Sequence, residues 1–159
     1  MKKKIIMVLL FVSLICIQLP SYSVYAIPNK PLPHSKVELY QDVFCSLLMP
    51  YIQKSVGDYY TKFLTDVPTV APWDIDILNV ERPDGYRTFF FVIKIQVRPY
   101  VGPHLDVGID RITITVDGIG EVKVTKFEHI KSYYLELPPN YQNIIKKNIT
   151  TNYQSNITK

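Results

Sequence analysis

Trp73-Asp-Ile-Asp-Ile-Leu-Asn-Val80, the turn Arg82-Pro83-Asp84-Gly85 and the run from Tyr86 to Tyr100 together decide the fold. Side chains of a strand alternate between two faces, so apolar residues at every second position mark one buried face of a sheet. In the second run Phe89, Phe91, Ile93, Ile95 and Val97 share one face, and Phe90, Val92, Lys94, Gln96 and Arg98 share the other. Proline presets one backbone dihedral and glycine accepts positive φ, so Arg82 to Gly85 reads as a hairpin turn. After a loop, Val101 to Asp106, a third strand from Val107 to Val116 points Ile112, Ile114 and Val116 inward. Asp117-Gly118-Ile119-Gly120 turns into a fourth, Glu121 to Ile130. Sequential strands joined this way predict an antiparallel meander with one apolar face.

Before Trp73 the period is helical. Ser35 is placed to cap a helix, with Glu38 three residues on completing a capping box. Val37, Tyr40, Phe44, Leu47, Leu48, Tyr51, Ile52, Val56, Tyr59, Tyr60 and Phe63 follow as a wide buried stripe. Pro50 cannot donate to the carbonyl of Ser46, which predicts a kink or two abutting helices. The helix is the element available to cover the apolar sheet face. The expected fold is therefore α+β: a kinked N-terminal helix packed on a four-stranded antiparallel meander, with a cystatin-like or nuclear-transport-factor-2-like two-layer shape. Shape alone does not assign function.

The flanks bound the compartment. Lys2 to Lys4, the apolar run Ile5 to Ile17 and the exit ending Val24-Tyr25-Ala26 read as a signal peptide cleaved after Ala26. The apolar run is too short for the roughly 20 residues that span a bilayer, so no stable transmembrane span is expected after cleavage. Residues 27–34 are a proline-broken lead-in, 35–134 a single domain and 135–159 a mostly disordered polar tail. Within that tail Leu135 to Lys147 could open with a short helix. Its sequons at Asn148 and Asn156 are attributed to chance in an Asn/Thr-rich segment. The chain carries 18 Lys+Arg against 14 Asp+Glu; without the three leader lysines the balance is 15 against 14, or +1. Nucleic-acid binding, which calls for a basic stripe, is set aside. With Cys16 in the leader, Cys45 is left as a single cysteine on the helix stripe, an apolar packing residue and not a nucleophile.

Five blocks carry a resemblance: Ser46-Leu-Leu-Met-Pro-Tyr-Ile-Gln-Lys54, Ile75-Asp-Ile-Leu-Asn-Val-Glu-Arg-Pro-Asp-Gly-Tyr86, Tyr100-Val-Gly-Pro-His104, Gly108-Ile-Asp-Arg-Ile-Thr113 and Val124-Thr-Lys-Phe-Glu-His129. In this order, across Val37 to Tyr133, they resemble the bacterial secreted family known as domain of unknown function 3888. The resemblance implies a small exported bacterial protein and brings no catalytic residues with it.

Candidate ligand groups gather around the loop between the second and third strands: Tyr100, His104, Asp106, Asp110 and Arg111. Imidazole and carboxylates at that spacing suit a cation, and Arg111 with His104 suits an anion. His129 comes near if the end of the fourth strand lies beside the start of the third, which allows a two-histidine arrangement with Asp110. Zinc needs at least three placed ligands and calcium six or more oxygens, so no metal is assigned. Phe90, Val92, Lys94 and Arg98 on the outer sheet face are a candidate partner surface, for a homodimer or an acidic envelope polymer. No Gly-x-Ser-x-Gly elbow is present and no catalytic residue or cofactor is assigned. The resulting expectation is an exported, non-catalytic binding domain with an envelope ligand or protein as partner. Its alternatives are a small enzyme with a cavity between helix and sheet, and a membrane-retained structural or inhibitory protein. The enzyme requires an inward-pointing polar group.

Overall fold

The structure, a computed structural model, describes residues 30–147. The signal segment, the start of the lead-in and both sequons lie outside the described residues. Helix α1 spans Lys36–Tyr60. It is followed by β1 (Asp76–Glu81), β2 (Phe91–Val97), the short strands β3 (Tyr100–Val101) and β4 (Leu105–Asp106), β5 (Gly108–Val116) and β6 (Val122–Ser132). Four strands form one antiparallel sheet in the order β1-β2-β5-β6, and β3 with β4 forms a separate two-stranded ribbon. This is the expected α+β architecture, with one ribbon inserted.

Helix α1 starts where its cap dictates. Ser35 Oγ accepts from the Glu38 N–H at 3.1 Å, while the Glu38 carboxylate reaches past Ser35 to accept from the His34 N–H. The Ser35 cap is worth about 1 kcal/mol. Pro50 lies inside the helix, which continues through it as one element and not as two abutting ones. An interior proline typically costs about 3 kcal/mol, and burial of large side chains, each worth about 1.5–3 kcal/mol, offsets it. Leu48 and Ile52, on either side of Pro50, are both buried.

The buried stripe of α1 is narrower than expected. Cys45, Leu48, Ile52, Val56 and Tyr60 face the sheet, packing with Ile93, Ile95 and Val97 of β2 and Ile112 and Ile114 of β5. Val37, Tyr40, Leu47 and Tyr51, expected in that stripe, are exposed. The helix is apolar on more than one side, so periodicity alone could not select the side that meets the sheet. Phe63 lies past the helix end, where the Leu64 N–H returns to the Tyr60 carbonyl.

Strand boundaries shift for local reasons. Pro72–Asp74 forms a turn of 3-10 helix, so Trp73 is exposed and β1 begins at Asp76. After the turn at Arg82 to Gly85, Arg87 adopts φ 63° and Thr88 bonds back to the Gly85 carbonyl. This second turn keeps Tyr86 to Phe90 out of β2, and Phe89, expected inward, is exposed.

The core also passes Tyr134, where the domain was expected to end. Leu137, Ile144 and Ile145 are buried in it, and the segment is stitched to the helix exit by Thr65 N–H to Ile144 O and Lys146 N–H to Phe63 O. Pro138 and Pro139 start a 3-10 turn, Pro139–Ile144, that delivers both isoleucines to the core. Ile144→Ala is expected to cost about 2–4 kcal/mol, the range for such truncations. Urea denaturation checks this: a loss below about 0.5 kcal/mol would detach residues 135–147 from the domain.

Candidate functional site

Strand β5 alternates inward at Gly108, Asp110, Ile112 and Ile114, so Asp110 points beneath the helix with Arg111 on the opposite face. Asp110 is fully buried, the one charged residue so placed among the described residues. Opposite it stands His129 of β6, whose Nδ1 lies 2.7 Å from Asp110 Oδ1. The other ring nitrogen, Nε2, lies 2.7 Å from Ser132 Oγ.

A bulge makes this chain of contacts possible. Residues three apart on a regular strand face opposite ways. The β5–β6 register jumps from Ile109↔Lys131 to Asp110↔His129, leaving Ile130 as the extra residue and turning Ser132 to the side of His129. Gly108 pairs with Ser132, and a Cβ there would lie 2.2 Å from Tyr60 Oη and 2.6 Å from the Lys131 carbonyl. Only glycine lets the Tyr60 hydroxyl lie against the strand. Tyr60 Oη and Asp110 Oδ2 are both buried without a partner of regular hydrogen-bond geometry, yet each acts on the other's proton affinity.

Burial pushes the Asp110 carboxyl above the usual carboxylate range, against the opposing contacts from His129 and Tyr60. Burial likewise raises the Tyr60 hydroxyl, helped by the neighbouring Asp110, and takes Tyr59 up to about 12. Tyr59 stacks over His129 at 4.7 Å and over Phe127 at 5.1 Å, closing the imidazole face from above. Beside this stack a shallow recess of about 350 Å³ is lined by Ser55, Asp58, Tyr59, Lys62, Phe127 and His129. The Lys62 ammonium lies 5.7 Å from the Tyr59 ring centroid.

The groups proposed from the sequence are thus divided among three places. Tyr100, His104 and Asp106 stay together: Tyr100 pairs with Asp106 across the ribbon and stacks on His104 at 4.2 Å. Their turn is seated by Gly102, at φ 50°, where a Cβ would meet the Tyr141 hydroxyl at 2.5 Å. Partial desolvation raises the exposed Asp106 carboxyl, with Asp74 adding to the shift and Arg98 and His104 opposing it. Asp110 and His129 meet under the helix, not in the loop. Arg111 faces away and donates to Gln96 Oε1 at 3.2 Å. No three histidine, cysteine, aspartate or glutamate side chains converge on a metal position among the described residues. Cys45 is buried, and burial with the nearby Asp42 raises its thiol to about 11.

On the proposed partner surface, Val92 and Lys94 lie opposite Thr115 and Thr113 on the outer sheet face. Phe90 precedes β2 in the loop. Arg98 is engaged by Asp74 at 3.2 Å and Asp76 at 3.6 Å, so its charge is already matched. Lys94 and Arg111, behind the direct contact from Lys126, help to hold the Glu128 carboxyl below its usual range.

Sequence reading missed Tyr59, Tyr60, Phe127 and Ser132 as parts of one site. For Asp110 a signal existed, since it has the parity of Ile112 and Ile114; Ser132 depends on the bulge and had none.

Two measurements probe the cluster. Gly108→Ala is expected to cost about 2–3 kcal/mol through overpacking against Tyr60, read from urea midpoints; an unchanged midpoint would contradict the close approach. Asp110 faces His129 from β6 and Tyr60 from α1, with Tyr59 and Tyr134 behind. Its raised pKa means that the folded chain keeps a proton which the unfolded chain has lost. Stability from this group is therefore full below the ordinary carboxylate pKa and declines as pH rises towards the raised one. In Asp110→Asn that decline should vanish from unfolding free energies measured between pH 3 and 8. A parallel profile for the two proteins would show that Asp110 is not the group responsible.

The chain matches the family model described as a protein of unknown function, DUF3888, over residues 40–131, more than half of its length. No curated protein and no solved structure matches it. The matched region contains α1 from Tyr40, the four-stranded sheet except Ser132 at the end of β6, and both Asp110 and His129, and the chain belongs to the DUF3888 family.

Proposed function

We propose that this protein is an exported, non-catalytic binding domain whose ligand is a segment of an envelope glycan. The recess beside Tyr59 and Phe127 carries the proposal. Sugar rings present an apolar C–H face and a rim of hydroxyls, and this recess offers two aromatic rings edged by Ser55, Asp58 and Lys62. Ligand sites combine an apolar floor with a few placed polar groups in this way. The Asp110–His129–Ser132 chain beneath holds that floor in place. Export is supported by the Lys2 to Ala26 pattern.

A second reading rests on the order of contacts, Asp110 to His129 Nδ1 and His129 Nε2 to Ser132 Oγ. That is the orienter, base and nucleophile order of acyl-transfer enzymes. It ranks second because acyl transfer also needs donors for the developing oxyanion. The N–H groups of Tyr133 and Tyr134, next in the chain, both donate to the Val107 carbonyl. Ser132 is also not part of the recess lining.

Calorimetric titration with solubilised envelope glycan fragments separates the two. Binding should be saturable and fall at least tenfold in Lys62→Ala and Phe127→Ala, with circular dichroism confirming the fold. Ser132→Ala should bind as before and a fluorophosphonate should not label the native chain. Absence of saturable binding, or binding indifferent to Lys62 and Phe127, rejects the glycan reading. Fluorophosphonate labelling lost in Ser132→Ala and His129→Ala would establish the second one.

A further inference from the structure

Helix α1 carries a second apolar stripe. Tyr40, Val43, Leu47 and Tyr51 are 67, 53, 70 and 38% exposed, spaced three, four and four residues apart, and so share one face. Val37, one turn before Tyr40, extends the face at 64% exposure. Single exposed apolar residues need no explanation, but a contiguous stripe along one helix does.

We propose that two copies of this chain associate through this face, with their α1 helices packed antiparallel about a two-fold axis that passes between Val43 and Leu47. The stripe is self-complementary under that operation. Tyr40 of one copy comes beside Tyr51 of the other, and Val43 beside Leu47, with aliphatic groups at the centre and tyrosines at both ends. Charge agrees with the direction. Lys36 opens the helix, and the antiparallel register sets it against the Lys54–Asp58 pair of the other copy, level with Lys54 and within about one helical turn of Asp58. A parallel pairing would set Lys36 beside Lys36. Asp58 already accepts from Lys54 at 2.6 Å within its own helix, so Lys36 would complete a small ion network. With Leu32 added at the lead-in, 79% exposed, the apolar area on offer is on the order of 700 Å² per copy, against about 800 Å² per partner in a standard-size interface. The outer sheet face is a weaker dimer candidate, since Lys94, Arg111 and the ion pairs Lys123–Glu121 and Lys126–Glu128 would have to give up water across it.

The chain recovered after export, examined by sedimentation equilibrium at tens to hundreds of micromolar, should show twice the monomer mass. Leu47→Glu, at an exposed position that leaves the core untouched, should weaken association at least tenfold, while Val92→Glu on the sheet should not. Lys36→Asp and Asp58→Lys should each weaken it, and the double variant should recover most of the loss. A monomer at all concentrations would overturn the proposal. So would a dimer insensitive to Leu47→Glu, or charge variants whose effects simply add. If Leu47→Glu left the mass unchanged but released the chain from anionic lipid vesicles, the face would serve a membrane and the dimer would be rejected.

Discussion

The carboxyl group of Asp110 sits where helix-on-sheet packing has removed water, and much of the local structure answers to that one burial. A charge in such a place costs several kcal/mol unless its oxygens are matched. His129 meets one oxygen, the Tyr60 hydroxyl lies close to the other, and both come from different elements. The contact therefore joins the end of α1 to β5 and β6, and each helper needs its own backbone feature. His129 is opposite Asp110 only in the register that follows the bulge at Ile130. Tyr60 fits only because residue 108 has no Cβ. The apolar stripe from Leu48 to Tyr60 joins helix to sheet; the Asp110 cluster fixes where along the sheet the helix stops.

The cluster has two forms that differ by one proton. If the Asp110 carboxyl holds it, it donates to His129 Nδ1, and His129 Nε2–H then donates to Ser132 Oγ. If Asp110 is ionised, His129 Nδ1–H donates, and Nε2 accepts from the Ser132 hydroxyl as long as the ring is neutral. Both forms satisfy the imidazole, so the chain of contacts survives a change in protonation. With both nitrogens committed and Tyr59 over one face, the imidazole shapes the floor of the recess without offering a donor to a ligand. That separates the polar cluster, which lies beneath Tyr59, from the rim of Ser55, Asp58 and Lys62 around the recess.

How much of this was legible in the sequence depended on whether a local rule had competition. The change of rhythm near Trp73 and the Ser35 cap had none, and both survive in the structure. The strand start at Trp73 lost to Pro72, which favours a 3-10 turn, and the strand at Tyr86 to Phe90 lost to the left-handed Arg87. Asp110 was assigned to a loop cluster although its parity matched Ile112, because its chemistry resembled that of its neighbours His104 and Asp106. Alternation was the stronger guide. Ser132 could not be placed from alternation at all, since one bulged residue inverts every side chain beyond it. Ile144 and Ile145 were submerged in a polar tail, and their role appears only through pairing with Phe63 to Thr65.

The same reasoning explains why the wide helical stripe misled. A helix on a sheet normally leaves one side to water, and the polar residues on that side reveal which side is buried. In α1 the polar positions are few between Val37 and Ile52, and two apolar stripes run along the helix, one ending in Tyr60 and the other passing through Tyr40, Leu47 and Tyr51. The sheet can cover only one of them. The choice falls on the stripe that contains Cys45, Leu48, Ile52, Val56 and Tyr60, which packs with Ile93 and Ile112, while Tyr40, Leu47 and Tyr51 remain outside. A helix that meets apolar surface on one side alone needs no second stripe, and the one that α1 carries is exposed among the described residues; the proposed pairing of two copies would cover it.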